Sequence, residues 1–136
     1  MPLLYPVLAQ VLLTLLLSFL LGAMRVAAVR SRQVRLRDVA LSGGAYPERV
    51  RKVENSVRNQ FETPVLLYVL CGAGIYVGAT GTVMILLAWA YVATRVAHAA
   101  IHITHNRVQQ RLIPFVLGLI LLTLMWIVVV ARLMAV

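Results

Sequence analysis

Between positions 95 and 111 the chain carries Arg95, His98, His102, His105, Arg107 and Arg111, a cationic stretch joining two of its most apolar segments. Arginine offers a fixed charge and a planar fork of donors suited to carboxylates. Histidine offers hydrogen bonding, proton transfer or metal ligation. At about 100° per residue, Arg95, His98 and His102 fall within about 60° of one another on one helical face. His98 and His102 have the i, i+4 spacing of a metal-binding pair. No carboxylate stands beside them, however, and the nearest acid in sequence is Glu62, so no metal is expected. The plainer roles are a hydrogen-bonded histidine and an arginine that neutralises Glu62 across a bundle. A second set precedes this one: Arg51, Asn55, Arg58, Asn59 and Glu62 recur at spacings of three and four and share a face. An Arg58–Glu62 ion pair on a solvated helix would account for part of this ladder. Five such residues at a membrane entrance point instead to a lined cavity. Arg107 and Arg111, one turn apart, either anchor a helix at the membrane surface or grip an anion there.

The elements that must position these residues follow from composition. The chain has 136 residues, is 62% hydrophobic and has a mean hydropathy of +0.90, too short for two domains and too apolar for an ordinary soluble one. A hydrocarbon core of about 30 Å needs about 20 mostly apolar residues per helix. Four stretches qualify or nearly do, predicting an all-α, integral membrane four-helix bundle in a single domain, with helices at about 3–29, 59–77, 82–104 and 108–133. The second and third reach spanning length only by including Asn59, Glu62, Arg95 and His98. A charge in hydrocarbon costs several kcal/mol unless paired or facing a wet cavity, so these residues require a polar site within the bundle.

The net charge of +9 would suit nucleic acid, but its distribution excludes that partner. Nine of the thirteen cationic residues lie in or beside the link between helices one and two, and Arg107 and Arg111 lie beside the link between three and four. Both links fall on one side of a four-pass bundle, whereas the hairpin from Gly78 to Gly81 carries no charge. This positive-inside pattern puts the basic links in the cytoplasm and both termini outside. The N-terminal apolar run lacks a preceding positive region, so it reads as a retained helix rather than a signal peptide. Cys71 is the only cysteine, which rules out an intramolecular disulfide; it reads as a small buried thiol. Twelve arginines to one lysine suggest a GC-rich genome and hence a bacterial inner membrane.

No glycine or proline interrupts Met24 to Asp38, so helix one is expected to continue to about Arg37. The turn-rich run from Leu41 to Pro47 forms the loop, and Pro47-Glu48 starts helix two. Pro64 lies within that helix and predicts a kink near the membrane surface.

Arg58-Asn59-Gln60-Phe61-Glu62, Arg95-Val96-Ala97-His98 and Arg107 to Arg111-Leu112-Ile113-Pro114 resemble, in order, elements of the second, third and fourth helices of a known family. The family is the membrane-associated proteins in eicosanoid and glutathione metabolism, which includes microsomal glutathione transferases, microsomal prostaglandin E synthase, leukotriene C synthase and the lipoxygenase-activating protein. Val34-Arg35-Leu36-Arg37 also resembles the end of a first helix in that family. The resemblance spans essentially the whole chain. It implies a homotrimer with glutathione between neighbouring subunits, and a lipophilic small-molecule substrate entering laterally from the lipid bilayer between helices one and four of adjacent subunits. Carried over, Arg58, Asn59, Glu62 and His98 would contact glutathione, Arg35 or Arg37 would add a further contact, and Arg111 would sit near the sulfur. Arg95, His102 and Arg107 complete the candidate binding set.

Three positions depart from the prostaglandin synthase pattern. His102 stands where that pattern has a tyrosine, Leu112 where it has a serine, and Phe115 replaces a second tyrosine. The lost hydroxyls argue against that particular isomerase chemistry. The expected activity is a glutathione-dependent transferase or peroxidase acting on a lipophilic electrophile, with Arg111 as the catalytic residue. The alternative is a non-catalytic lipid-binding protein of the same fold. A small multidrug antiporter, a third class, would need a membrane-embedded acid that helix one lacks.

Overall fold

A computed structural model describes residues 1–135. Five α-helices build four membrane-length segments: α1 (Leu4–Arg30), α2 (Glu48–Gln60), α3 (Pro64–Tyr76), α4 (Thr82–Ile103) and α5 (Val108–Met134). The segments Leu4–Arg30, Glu48–Val77, Thr82–Ile103 and Val108–Met134 are each long and apolar enough to cross a membrane. The protein is an all-α, integral membrane four-helix bundle.

Helix α1 stops at Arg30 rather than near Arg37. Its end closes with the amide of Gln33 bonded to the carbonyl of Ala28 at 3.0 Å, and that of Arg32 to Val29 at 3.1 Å. This double closure needs a left-handed residue just past the cap, where glycine is usual. Here Arg32 takes that conformation, with φ 59°, and the Ser31 hydroxyl donates to the carbonyl of Ala27 at 2.8 Å. Arg35 and Arg37 therefore stand on an exposed loop containing two short 3₁₀ turns, Leu36–Val39 and Gly43–Ala45. The same closure ends α3, where Gly78 (φ 76°) supplies the left-handed residue and Ala79 bonds back to Gly74.

The second segment breaks rather than bends. Pro64 has no amide hydrogen for the carbonyl of Gln60, so α2 ends there; Phe61, Glu62 and Thr63 form a connecting turn, and Pro64 opens α3 at a position where its missing donor costs nothing. The loop before α2 is fixed by Arg25, whose guanidinium pairs with Glu54 at 3.0 Å and lies 5.4 Å from the centre of the Tyr46 ring. The Glu54 carboxylate lies directly over Gly43, and a side chain there would collide with it.

Lipid is as apolar as leucine, so packing and hydrogen bonding hold membrane helices together. The main core joins Leu3, Leu67, Cys71, Met84, Tyr91, Leu122 and Met125; Cys71 is buried as a small apolar side chain. Helices α4 and α5 pack most extensively, and they approach closely at Gly118, where a Cβ would lie 3.3 Å from Thr94 Oγ1 and from the Tyr91 ring. Leucines and isoleucines of α1 and α5, among them Leu12, Leu16, Ile113 and Ile120, stay exposed, as lipid-facing side chains do. A smaller cluster of Leu21, Val50 and Val53 joins α1 to α2 on the basic side.

Candidate functional site

A cavity of about 420 Å3 opens where the turn after α2 meets the facing ends of α4 and α5. This is within the roughly 300–1,000 Å3 of small-molecule sites. Asn55, Arg58, Asn59 and Glu62 line it from the second segment, Arg95, His98 and His102 from α4, and Arg111 from α5. Val108, Leu112 and Phe115 complete an apolar wall. The two polar faces expected from spacing thus meet in one cavity. Arg35, Arg37 and Arg107 do not line it within one protomer. The first two lie on the exposed loop, and Arg107 caps the start of α5, its carbonyl accepting the amide of Arg111 at 3.0 Å. Arg51 lines a second, polar cavity of about 390 Å3 that shares Asn55 and Arg58 with the first, so the ladder on α2 extends from one cavity to the other.

The break at Pro64 explains Arg95. A helix leaves its last four carbonyls without partners and carries partial negative charge at that end. Arg95 is 2% exposed, and its Nη2 donates to the carbonyl of Asn59 at 3.1 Å. It thereby caps α2 from across the bundle instead of pairing with Glu62, as charge alone predicted. Tyr91, one turn earlier on the same face, donates its hydroxyl to Thr63 Oγ1 at 3.0 Å and fastens the other end of the turn. Spacing from Arg95 was the available signal for Tyr91; Thr63 gave none.

His102 links the three elements. Its Nδ1 lies 3.3 Å from the side-chain nitrogen of Asn59, and its Nε2 lies 3.1 Å from Nη1 of Arg111. The same Nη1 donates to Asn106 Oδ1 at 2.8 Å. The short link from Thr104 to Arg107 makes this possible: Asn106 adopts φ 49°, its amide bonds to Ile101, and the chain reverses so that residues nine apart meet. His98 packs edge-on to His102, with ring centres 5.7 Å apart and planes at 87°, and its other ring neighbour is Phe115 at 6.3 Å. No group of three metal-ligating side chains exists among the described residues.

Several groups in the cavity lack a protein partner. Asp38, Glu48 and Glu54 each form a salt bridge, whereas among the described residues Glu62 forms none, with Arg58 or with Arg95. His98 Nδ1 and Arg95 Nε are buried and make no hydrogen bond. Buried polar atoms are normally satisfied, so these two are exceptions, and the free carboxylate at Glu62, exposed to the cavity, leaves hydrogen-bonding capacity for a polar, charged ligand.

Fold and cavity together define a membrane protein with a polar, ligand-sized cavity at the level where its basic links meet the bundle. The MAPEG family model matches residues 3–131, and the chain belongs to that family, whose members are generally glutathione-related transferases or isomerases. No curated protein matches the chain.

Proposed function

We propose that the protein is a glutathione-dependent transferase or peroxidase that conjugates or reduces a lipophilic electrophile reaching it from the bilayer, working as a homotrimer in a bacterial inner membrane. The observation that carries this reading is the pairing of unsatisfied groups with the ligand's chemistry. Glutathione has two carboxylates, one ammonium and one thiol; the cavity offers Arg58 and Arg111 for anions and the unpaired Glu62 for the ammonium. Buried His98 Nδ1 and Arg95 Nε are further groups without partners. Glutathione, when bound, supplies a nucleophilic sulfur.

The residues then have distinct work. Arg58 and Glu62 orient the ligand from α2 and the turn, with Asn59 between them, and Arg95 keeps that turn in place. Arg111 lies beside the apolar wall of Leu112 and Phe115, where its charge favours an anionic sulfur next to the path of an apolar substrate. Phe115 and Leu112 bring no hydroxyl to that wall, which fits electrophile conjugation or reduction better than an isomerisation that needs a hydroxyl there. Arg35, Arg37 and Arg107 are assigned to contacts with a ligand shared between neighbouring subunits.

Glutathione is expected to raise the melting temperature of the detergent-purified protein, because a ligand selective for the folded state stabilises it by about 2.7 kcal/mol at a hundredfold excess over Kd. Arg58→Ala should shrink the shift. A melting curve unmoved by millimolar glutathione would give precedence to non-catalytic lipid binding. Orientation has its own test. Eleven cations flank the two links between helices one and two and between three and four, so a periplasm-dependent reporter fused after the C-terminal helix should be active, and activity only from a cytoplasm-dependent reporter would reverse the assignment.

A further inference from the structure

We propose that His102 and Asn106 form a clamp that positions Arg111, holding one edge of its guanidinium so that the other edge faces an anion in the cavity. The inference rests on the glutathione reading for the identity of the anion, but on geometry alone for the clamp.

Arg111 spends Nη1 on two acceptors, His102 Nε2 at 3.1 Å and Asn106 Oδ1 at 2.8 Å. Its Nη2 and Nε bond to no other residue among those described. Arginine has donors only. The nitrogen of His102 that faces it must therefore carry the lone pair, and the proton of the neutral ring must sit on Nδ1. That proton needs an acceptor. Asn59 is the neighbour at 3.3 Å, and its amide satisfies the ring only when turned so that Oδ1, rather than Nδ2, faces His102; amide orientation and histidine tautomer follow from such networks. A continuous chain of hydrogen bonds then runs from Asn59 on α2 through His102 on α4 to Arg111 on α5. Arg95 holds the same Asn59 by its backbone carbonyl. The clamp therefore ties the arginine to the segment that carries Arg58 and Glu62, and sets the distance between the two ends of one ligand site.

Asn106 suits its part twice. Its short amide accepts from Arg111, and asparagine tolerates the left-handed φ of 49° that the reversal requires.

The test uses His102→Phe, which keeps a ring and removes both nitrogens, His102→Gln, which keeps an acceptor and a donor, and Asn106→Gly, which keeps the backbone conformation and removes the acceptor. Two readouts are taken on the purified protein: the rate at which an arginine-specific dicarbonyl labels Arg111, followed by peptide mapping without ligand, and the ultraviolet absorbance of thiolate at neutral pH with glutathione present. Arg111 should label several-fold faster in His102→Phe and Asn106→Gly than in wild type, with His102→Gln close to wild type. The ratio of thiolate to thiol should fall about three- to tenfold in the first two, equivalent to about half to one pKa unit of the ligand, and be largely kept in His102→Gln. Equal labelling of Arg111 in wild type and all folded variants overturns the clamp; if His102→Phe does not fold, Asn106→Gly decides. Wild type that develops no thiolate signal while Arg111 labelling still differs among variants leaves the clamp standing and overturns glutathione as its anion.

Discussion

Arg111→Ala is expected to remove most of the thiolate from bound glutathione and to slow conjugation of a model electrophile by about tenfold to a hundredfold. A thiol with a pKa of about 8.5 is only a few per cent ionised at pH 7. A shift of about two units makes the thiolate dominant and corresponds to about 2.7 kcal/mol of preference for the anion, at about 1.36 kcal/mol per unit. A guanidinium at the edge of an apolar wall can supply that preference, because screening by water is weaker there than at an open surface. Lysine at this position should restore the anion only in part: it keeps the charge, but its ammonium lacks the planar fork that bonds His102 and Asn106 while leaving an edge for the ligand. Melting curves should separate this effect from damage to the fold. Wild-type turnover in Arg111→Ala, or persistent thiolate absorbance, would transfer the sulfur contact to another cation, with Arg95 the next to test.

Glu62→Gln is expected to lower affinity for glutathione about tenfold to a hundredfold while leaving the unliganded protein as stable as wild type. Glu62 is exposed to the cavity and forms no salt bridge among the described residues, and surface substitutions without such partners usually stay within about 0.5 kcal/mol. A charge-assisted hydrogen bond to an ammonium is worth roughly 1.5–3 kcal/mol, which sets the expected loss. A Glu62→Gln protein that melts several degrees early would show that the carboxylate holds the turn before Pro64 rather than a ligand.

Much of the bundle is legible in sequence because lipid imposes a simple demand. Apolar runs of spanning length, basic links on one side and an uncharged hairpin at Gly78 to Gly81 are coarse signals that survive without knowledge of contacts. The polar ladder from Arg51 to Glu62 and the face of Arg95, His98 and His102 are also readable, since helical periodicity decides which side chains share a side. What joins the faces is less visible. Arg95 is satisfied by a backbone carbonyl, Asn59's, that is free only because Pro64 breaks the segment; a search for opposite charges finds Glu62 instead. Helix α1 ends at Arg30 through a left-handed arginine, and neither glycine nor proline announces it. That early end is what puts Arg35 and Arg37 on a loop away from the cavity. The contact between His102 and Arg111 depends on a reversal of four residues whose geometry turns on Asn106, a residue type that tolerates the required conformation but does not dictate it.

This cavity is proposed to bind glutathione through the unpaired carboxylate of Glu62. Calorimetric titration of the detergent-purified protein with glutathione, run in parallel on Glu62→Gln, tests it directly. Saturable heat in the wild type, with binding weakened at least about tenfold in the variant, or about 1.4 kcal/mol, is the predicted result; no heat in the wild type, or equal affinity in the two proteins, would contradict it.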